Sequence, residues 1–393
     1  MPDRPLERII ALAVAGAAAV ATVEAIRVRL PLRQVHRAAH GSEHVRDVVL
    51  VSVGDAAGRR GWGECPTLSG GGYSAEDPEG AWTTLTTDLI PGLFEGRCGD
   101  RLATGHPIDP SSPMASAAVE AAVVDLALRR EGVSLAVVLG ATRPTVPRAM
   151  VLSGLDSARG AVGGEELVAA VDVAIAGGAR LVKFKVSGET DLTPLAVLRR
   201  ERPDVAIAVD ANGSLGDAPE IVSGLARLGL AYVEQPLPPH DPDAGAIRAE
   251  LGVPVALDEA VASAVDLARA LQAGAGDVVN IKPARLGGLA AALRCVEVAR
   301  DRDAGVFVGG MLETGVGRAA AIALAAGIAS AGTDDEIPCD LGPSSQYFDD
   351  DITEPLGVDH RGDLIVPTGD GIGIDPRPGR LGAVTVDRFE VTG

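Results

Sequence analysis

Five polar residues, Lys185, Asp210, Glu234, Asp258 and Lys282, recur along the middle of this chain at intervals of 25, 24, 24 and 24 residues. Each stands at or near the C-terminal end of a short apolar run. The runs are 146–152, 181–186, 205–210, 230–234, 254–258, 278–282, 305–309 and, less regular, 337–341, with Ala/Leu/Arg-rich helical patterns between most of them. Strands alternating with helices in this way predict parallel β/α units, and about eight of them close a barrel. The C-terminal strand ends of such a barrel converge on one mouth, so the five residues become neighbours around a single cavity. Taken singly, an Asp at a strand end is explained as a helix cap and Glu234-Gln-Pro as a turn. Five in register are not explained that way.

Two of the five are lysines, and together with Lys183 they are all the lysines in 393 residues; the other 32 of the 35 basic residues are arginine. An amine can lose its proton when buried or set beside another cation, whereas a guanidinium stays charged, so lysine used this sparingly points to proton transfer. Parity puts Lys183 and Lys185 on one face of their strand, both directed into the barrel. Asp210, Glu234 and Asp258 offer hard oxygen ligands from adjacent strands, which suits Mg²⁺, with Mn²⁺ able to substitute; zinc would want His or Cys. A divalent ion flanked by lysines can hold a substrate carboxylate and stabilise the enediolate formed when the neighbouring carbon loses its proton. The surrounding positive charge is expected to lower a lysine from its usual pKa of about 10.4. Lys185 and Lys282, across the mouth from each other, address opposite faces of that carbon.

The remaining chain frames this core. Residues 1–21 read as an N-terminal extension: Arg4 and Arg8 precede an apolar run from Ile9 to Ala21 that has a signal-peptide outline but is too short to span a bilayer. A disordered extension is the plainer expectation, with secretion as the minority reading. Alternating residues from Val23 to Leu32 and from Val45 to Val53 predict an antiparallel hairpin, with His36, His40 and His44 in a solvated loop between. A Gly-rich stretch, Ser69 to Ser74, is suited to folding over a cleft, and helices are expected at 75–93 and 115–139. The acidic runs Asp334–Glu336 and Asp349–Asp351 are expected at the solvated surface. The expected organisation is an α+β capping domain over 22–143, completed by 360–393, and a barrel domain over 144–359.

A net charge of −19 with no basic cluster argues against nucleic acid as a partner, and four cysteines without C-x-x-C spacing fit a reducing, cytoplasmic setting. No G-x-S-x-G elbow is present, which sets a serine hydrolase aside. The expected partners are a small-molecule carboxylate substrate and further copies of the chain in a homo-oligomer, with no membrane.

Lys183-Phe-Lys185, Asp210-Ala-Asn212, Glu234-Gln-Pro236, Asp258-Glu259 and Asn280-Ile-Lys282-Pro-Ala-Arg-Leu-Gly-Gly288 resemble the muconate-lactonizing subgroup of the enolase superfamily. Gly309-Gly-Met-Leu-Glu-Thr-Gly-Val-Gly-Arg318 is similar to its o-succinylbenzoate synthase/N-acylamino acid racemase family. The resemblance implies a modified (β/α)₇β TIM-type barrel with an α+β capping domain whose loops close over the substrate. It implies Lys185 as the base, Lys282 as the opposite-face lysine and Lys183 as the residue that tunes Lys185. Asp210, Glu234 and Asp258 would hold Mg²⁺, Asn212 and Glu313 would support them, and Ser153, Gly310 and Met311 would touch substrate. Ala260 stands where relatives commonly have Ser, which bears on substrate choice. The expected activity is o-succinylbenzoate synthase, a dehydratase of menaquinone biosynthesis, with N-acylamino acid (N-succinylamino acid) racemase as the alternative on the same lysine pair. Dipeptide epimerase is disfavoured because Met311-Leu-Glu313 replaces its Asp-x-Asp. A barrel that binds without turnover is the reading from another class, and the retained lysines argue against it.

Overall fold

The computed structural model describes residues 4–38, 41–69, 74–152, 155, 162–330 and 337–392. Near the N-terminus, β1 (Thr22–Ala38), β2 (Gly41–Gly54) and β3 (Arg60–Cys65) form an antiparallel sheet, and the chain's last strand, Thr385–Thr392, adds to the outer edge of β1. β1 and β2 pair from Thr22↔Gly54 to Pro31↔Val45 and again, after a register shift, from His36↔Glu43 to Ala38↔Gly41. The histidine connection is therefore not a loop: His36 and His44 lie within strands, because the ladder satisfies backbone groups that a long loop would leave to water. His40 lies outside the described residues. Of the tail, only this last strand joins the sheet; Leu364–Ile365 pairs instead with Thr145–Val146.

One long helix packs on β2 and β3, and a second helix packs on the first. α1 (Pro5–Ala17) buries Ile9, Leu12 and Ala13, which corrects the expectation of a disordered extension. Its apolar run serves packing on α2 (Pro113–Glu131), and the two cross so closely that a Cβ on Gly16 would sit 1.9 Å from the Val123 carbonyl oxygen. The helix expected over 115–139 stops at Gly132, whose φ of 69° terminates α2 before a short turn at Leu135–Val138. No helix among the described residues is long and apolar enough to cross a membrane.

Seven parallel strands follow: β4 (Ala149–Leu152), β5 (Leu181–Lys185), β6 (Ile207–Asp210), β7 (Tyr232–Glu234), β8 (Val255–Leu257), β9 (Val278–Ile281) and β10 (Gly305–Val308), hydrogen-bonded in sequence order. The eighth run is too short for a ladder, but Cys339 bridges to Arg148 beside β4 and Asp340 to Gly309 beyond β10, so the round closes there. Helices Gly164–Ala176, Thr193–Glu201, Pro219–Leu225, Ala244–Leu251 and Ala264–Gln272 lie between the strands, with α3 (Leu289–Arg300) and α4 (Gly315–Ser330) after β9 and β10. Inside, Ala149, Leu181, Ala208, Tyr232, Ala256, Val278 and Phe307, one from each strand, pack as a single apolar layer, with the Tyr232 and Phe307 rings stacked 5.4 Å apart. Two large rings against mostly smaller residues fill the barrel rather than leaving a pore.

The acidic runs divide. Asp349 and Asp350 are exposed, but Asp351 is buried and accepts from the Gly315 N–H at the start of α4, 2.8 Å away, because an unpaired helix N-terminus attracts a carboxylate. Asp334–Glu336 lies outside the described residues.

Candidate active site

Side chains two residues further along a strand share its face. Above the apolar floor, Leu181 is therefore followed by Lys183, Ala208 by Asp210, Tyr232 by Glu234, Ala256 by Asp258 and Val278 by Asn280. Lys185 and Lys282 stand two residues higher still. The register pairs Lys185 with Asp210, and Asp210 with Glu234, so the expected residues meet at the strand ends.

The Lys183 Nζ is buried and donates to Glu234 Oε2 at 2.7 Å and to Asp340 Oδ2 at 2.5 Å. Burial works against its charge, but Asp340 and Glu234 outweigh it and hold the amine charged well beyond the usual lysine range. Lys282 Nζ donates to Asp258 Oδ2 at 2.8 Å, and the Arg285 guanidinium bonds the other oxygen. Burial would raise Asp258, but Arg285 and Lys282 together hold it well below the usual carboxylate range. Lys185 differs: its Nζ donates to the neutral Asn212 Oδ1 at 2.9 Å and stands 3.8 Å from Asp210 Oδ2, with 37% of the side chain exposed at the mouth. Asn212, at φ 41°, is steadied by Glu259 Oε1 at 2.9 Å.

Glu234 is pushed up to about 7 by burial, with Lys183 opposing, and Asp210 is raised by burial against Lys185 and Lys183. Among the described residues no three His, Cys, Asp or Glu side chains are gathered as a ready-made metal cage. The donor chemistry nonetheless suits a hard divalent ion: Asp210 and Glu234, on adjacent strand ends, bear a burial penalty on their charge that such an ion would relieve.

Beyond β10 the backbone turns through Gly310–Glu313, with Leu312 at φ 59°. Glu313 Oε1 accepts from the Met311 N–H at 2.9 Å, and its other oxygen pairs with the fully buried Arg318 at 2.7 Å. A Cβ on Gly310 would stand 2.5 Å from Arg318 Nη1, so glycine there admits the guanidinium. Met311 is buried. Ser153 lies outside the described residues.

Sequence reasoning missed Asp340 as a partner of Lys183, Asn280 as a donor to Glu234 (2.8 Å) and Arg285 as a partner of Asp258. The signal for Asp340 was its place at the end of the eighth run, the rule that found the other acids. For Asn280 it was an even offset from Lys282. Gln235, at φ 40°, was also missed; its side-chain oxygen accepts from the Asp258 and Ala260 N–H groups at 3.0 and 3.1 Å and so fixes the β8 terminus.

Residues 166–380 match the family described as "Enolase C-terminal domain-like". The chain belongs to the enolase superfamily. Among similar enolase-superfamily proteins are an N-succinylamino acid racemase of Amycolatopsis sp, 36% identical over 92% of this chain and 96% of that one, and an o-succinylbenzoate synthase of Geobacillus kaustophilus, 33% identical over 88% and 91%. A solved enolase-superfamily structure from Listeria innocua superposes with a TM-score of 0.85 at 27% identity, covering 95% of this chain and 99% of that one. The modified barrel with its α+β cap is the enolase-superfamily fold.

Proposed function

We propose that the chain is an o-succinylbenzoate synthase, removing water from a cyclohexadiene carboxylate through proton abstraction α to the carboxylate. The observation that carries this reading is the asymmetry among the lysines: Lys183 and Lys282 donate to carboxylates, while Lys185 donates to an uncharged amide oxygen. Two amines are thus engaged by carboxylates at hydrogen-bond distance, while the Lys185 amine, held by an amide with Asp210 further off, is placed at the mouth to meet a substrate proton, the arrangement of a single-base elimination. Relatives named o-succinylbenzoate synthase support it.

Lys185, in its neutral form, takes the α-proton. The electron pair left behind passes into the carboxylate as an enediolate. Lys282, held by Asp258, faces the developing charge from the opposite side, and Lys183 contributes fixed positive charge below. The β-hydroxyl leaves with its bonding pair and takes up the proton that Lys185 holds, so one water is released and the base is restored. Asp210, Glu234 and Asp258 would hold Mg²⁺, which when bound neutralises charge on the substrate carboxylate. Asn212 and Glu259 orient Lys185, and Ser153, Gly310 and Met311 would contact substrate.

A second reading, racemisation of N-succinylamino acids, is favoured by the 36% identity to a relative of that name and uses Lys185 and Lys282 on opposite faces. Incubating the purified protein with Mg²⁺ in D₂O, with the cyclohexadiene carboxylate or with N-succinyl amino acids, separates the two. Water loss from the first with slow α-deuteration of the second supports the dehydratase; rapid exchange on the second alone replaces it with the racemase.

A further inference from the structure

Arg46, on β2 of the cap, has no exposed surface, and its five N–H groups meet five acceptors. Nη1 donates to the Thr67 carbonyl and to Glu43, both at 2.9 Å; Nη2 donates to the Pro66 carbonyl at 2.9 Å and the Met311 carbonyl at 3.2 Å; Nε donates to the Leu312 carbonyl at 3.3 Å. One planar group thus holds two backbone segments from different parts of the molecule. Pro66 and Thr67 lead from β3 into the stretch that the sequence marks as suited to covering a cleft. Met311 and Leu312 belong to the turn beyond β10. Glu43, near the tip of the β1–β2 hairpin, joins the same node, since its second oxygen accepts from the Ser69 N–H.

We propose that Arg46 is a positioning residue for substrate specificity, locking residues 66–69 of the cap to the Gly310–Glu313 turn so that the turn holds one arrangement toward the substrate. Two features carry this beyond a simple bolt between domains. Leu312 sits at φ 59°, a conformation a side-chain-bearing residue keeps only when its surroundings impose it, and Arg46 binds the carbonyls on both sides of its α-carbon. The turn's other side is held by Glu313 and Arg318, so the cap supplies half of the restraint on a turn that the barrel alone leaves half-held. Lysine, a point charge with three donors, cannot span these carbonyls.

The substrate side of this inference rests on the function proposed above; the structural side does not, and the test separates them. Removing Arg46 alone would leave Glu43 buried without its counter-charge, so the informative protein is the double variant Arg46→Met/Glu43→Gln, alongside Arg46→Lys. Hydrogen exchange should rise together in the segments 66–69 and 310–313 of the double variant. KM for the compound turned over should rise about tenfold or more with a smaller change in kcat, the pattern of lost binding contacts. Arg46→Lys should restore thermal stability without restoring KM. The proposal is overturned if only one segment loosens, if KM stays at the wild-type value while melting alone falls, or if lysine recovers KM. Should the wild-type protein turn over neither compound, the proposed function fails, and the paired exchange readout still decides the role of Arg46.

Discussion

Lys185 and Lys282 stand at strand ends of one barrel with different company, and that difference sets the expectations for single residues. Replacing Lys185 by Ala should lower kcat by about 10³-fold, within the usual range for a general base, while leaving the circular dichroism spectrum and melting point near wild type. Survival of turnover in that variant would remove Lys185 as the base. Asp340→Asn should be milder in rate, about tenfold in kcat, but should lower the melting temperature measurably, because Lys183 then loses one of the two carboxylates it donates to among the described residues. The lysines and the three strand-end acids were legible because each is a rare or costly residue repeated at the spacing of one β/α unit. Arg46, Arg285 and Arg318 were not, since arginine is the ordinary cation of this chain and its partners here lie in other loops or strands. No count along the sequence joins Arg46 to Met311.

The strands were readable as apolar runs of the right length and the barrel as their number, whereas helix ends and long-range pairing were not. Gly132 ends α2 through a backbone conformation that apolar periodicity does not register, and α1 resembled an extension because its partner surface lies more than a hundred residues away. Nor did composition reveal how barrel helices are started from the cap. Glu64 on β3 accepts from the Gly317 N–H and from Thr314 at the head of α4, and Glu120 on α2 accepts from the Leu289 and Ala290 N–H groups at the head of α3. Burial pushes both carboxyls up to about 7, against the hydrogen bonds that favour their ions. A group raised in this way contributes stability fully below the unfolded carboxylate pKa and loses it as pH climbs through about 7. The melting temperature should therefore fall between pH 5.5 and 8, and Glu120→Gln, which stays neutral, should flatten part of that fall. An unchanged slope in a differential-scanning series would remove Glu120 from the account.

Across the whole molecule, one continuous apolar cluster runs from α1 and the cap sheet through α2 into α3 and α4 of the barrel. Cap and barrel then melt together, and calorimetry should show one transition with no separate cap event. Ending the chain at residue 384 deletes the strand that seals β1 and should lower that single transition rather than split it. The apolar floor has a consequence for traffic. With seven side chains filling the lower barrel, nothing passes through from beneath. Reactant, water and product would then share the strand-end side of the barrel, so an arrival there waits for a departure.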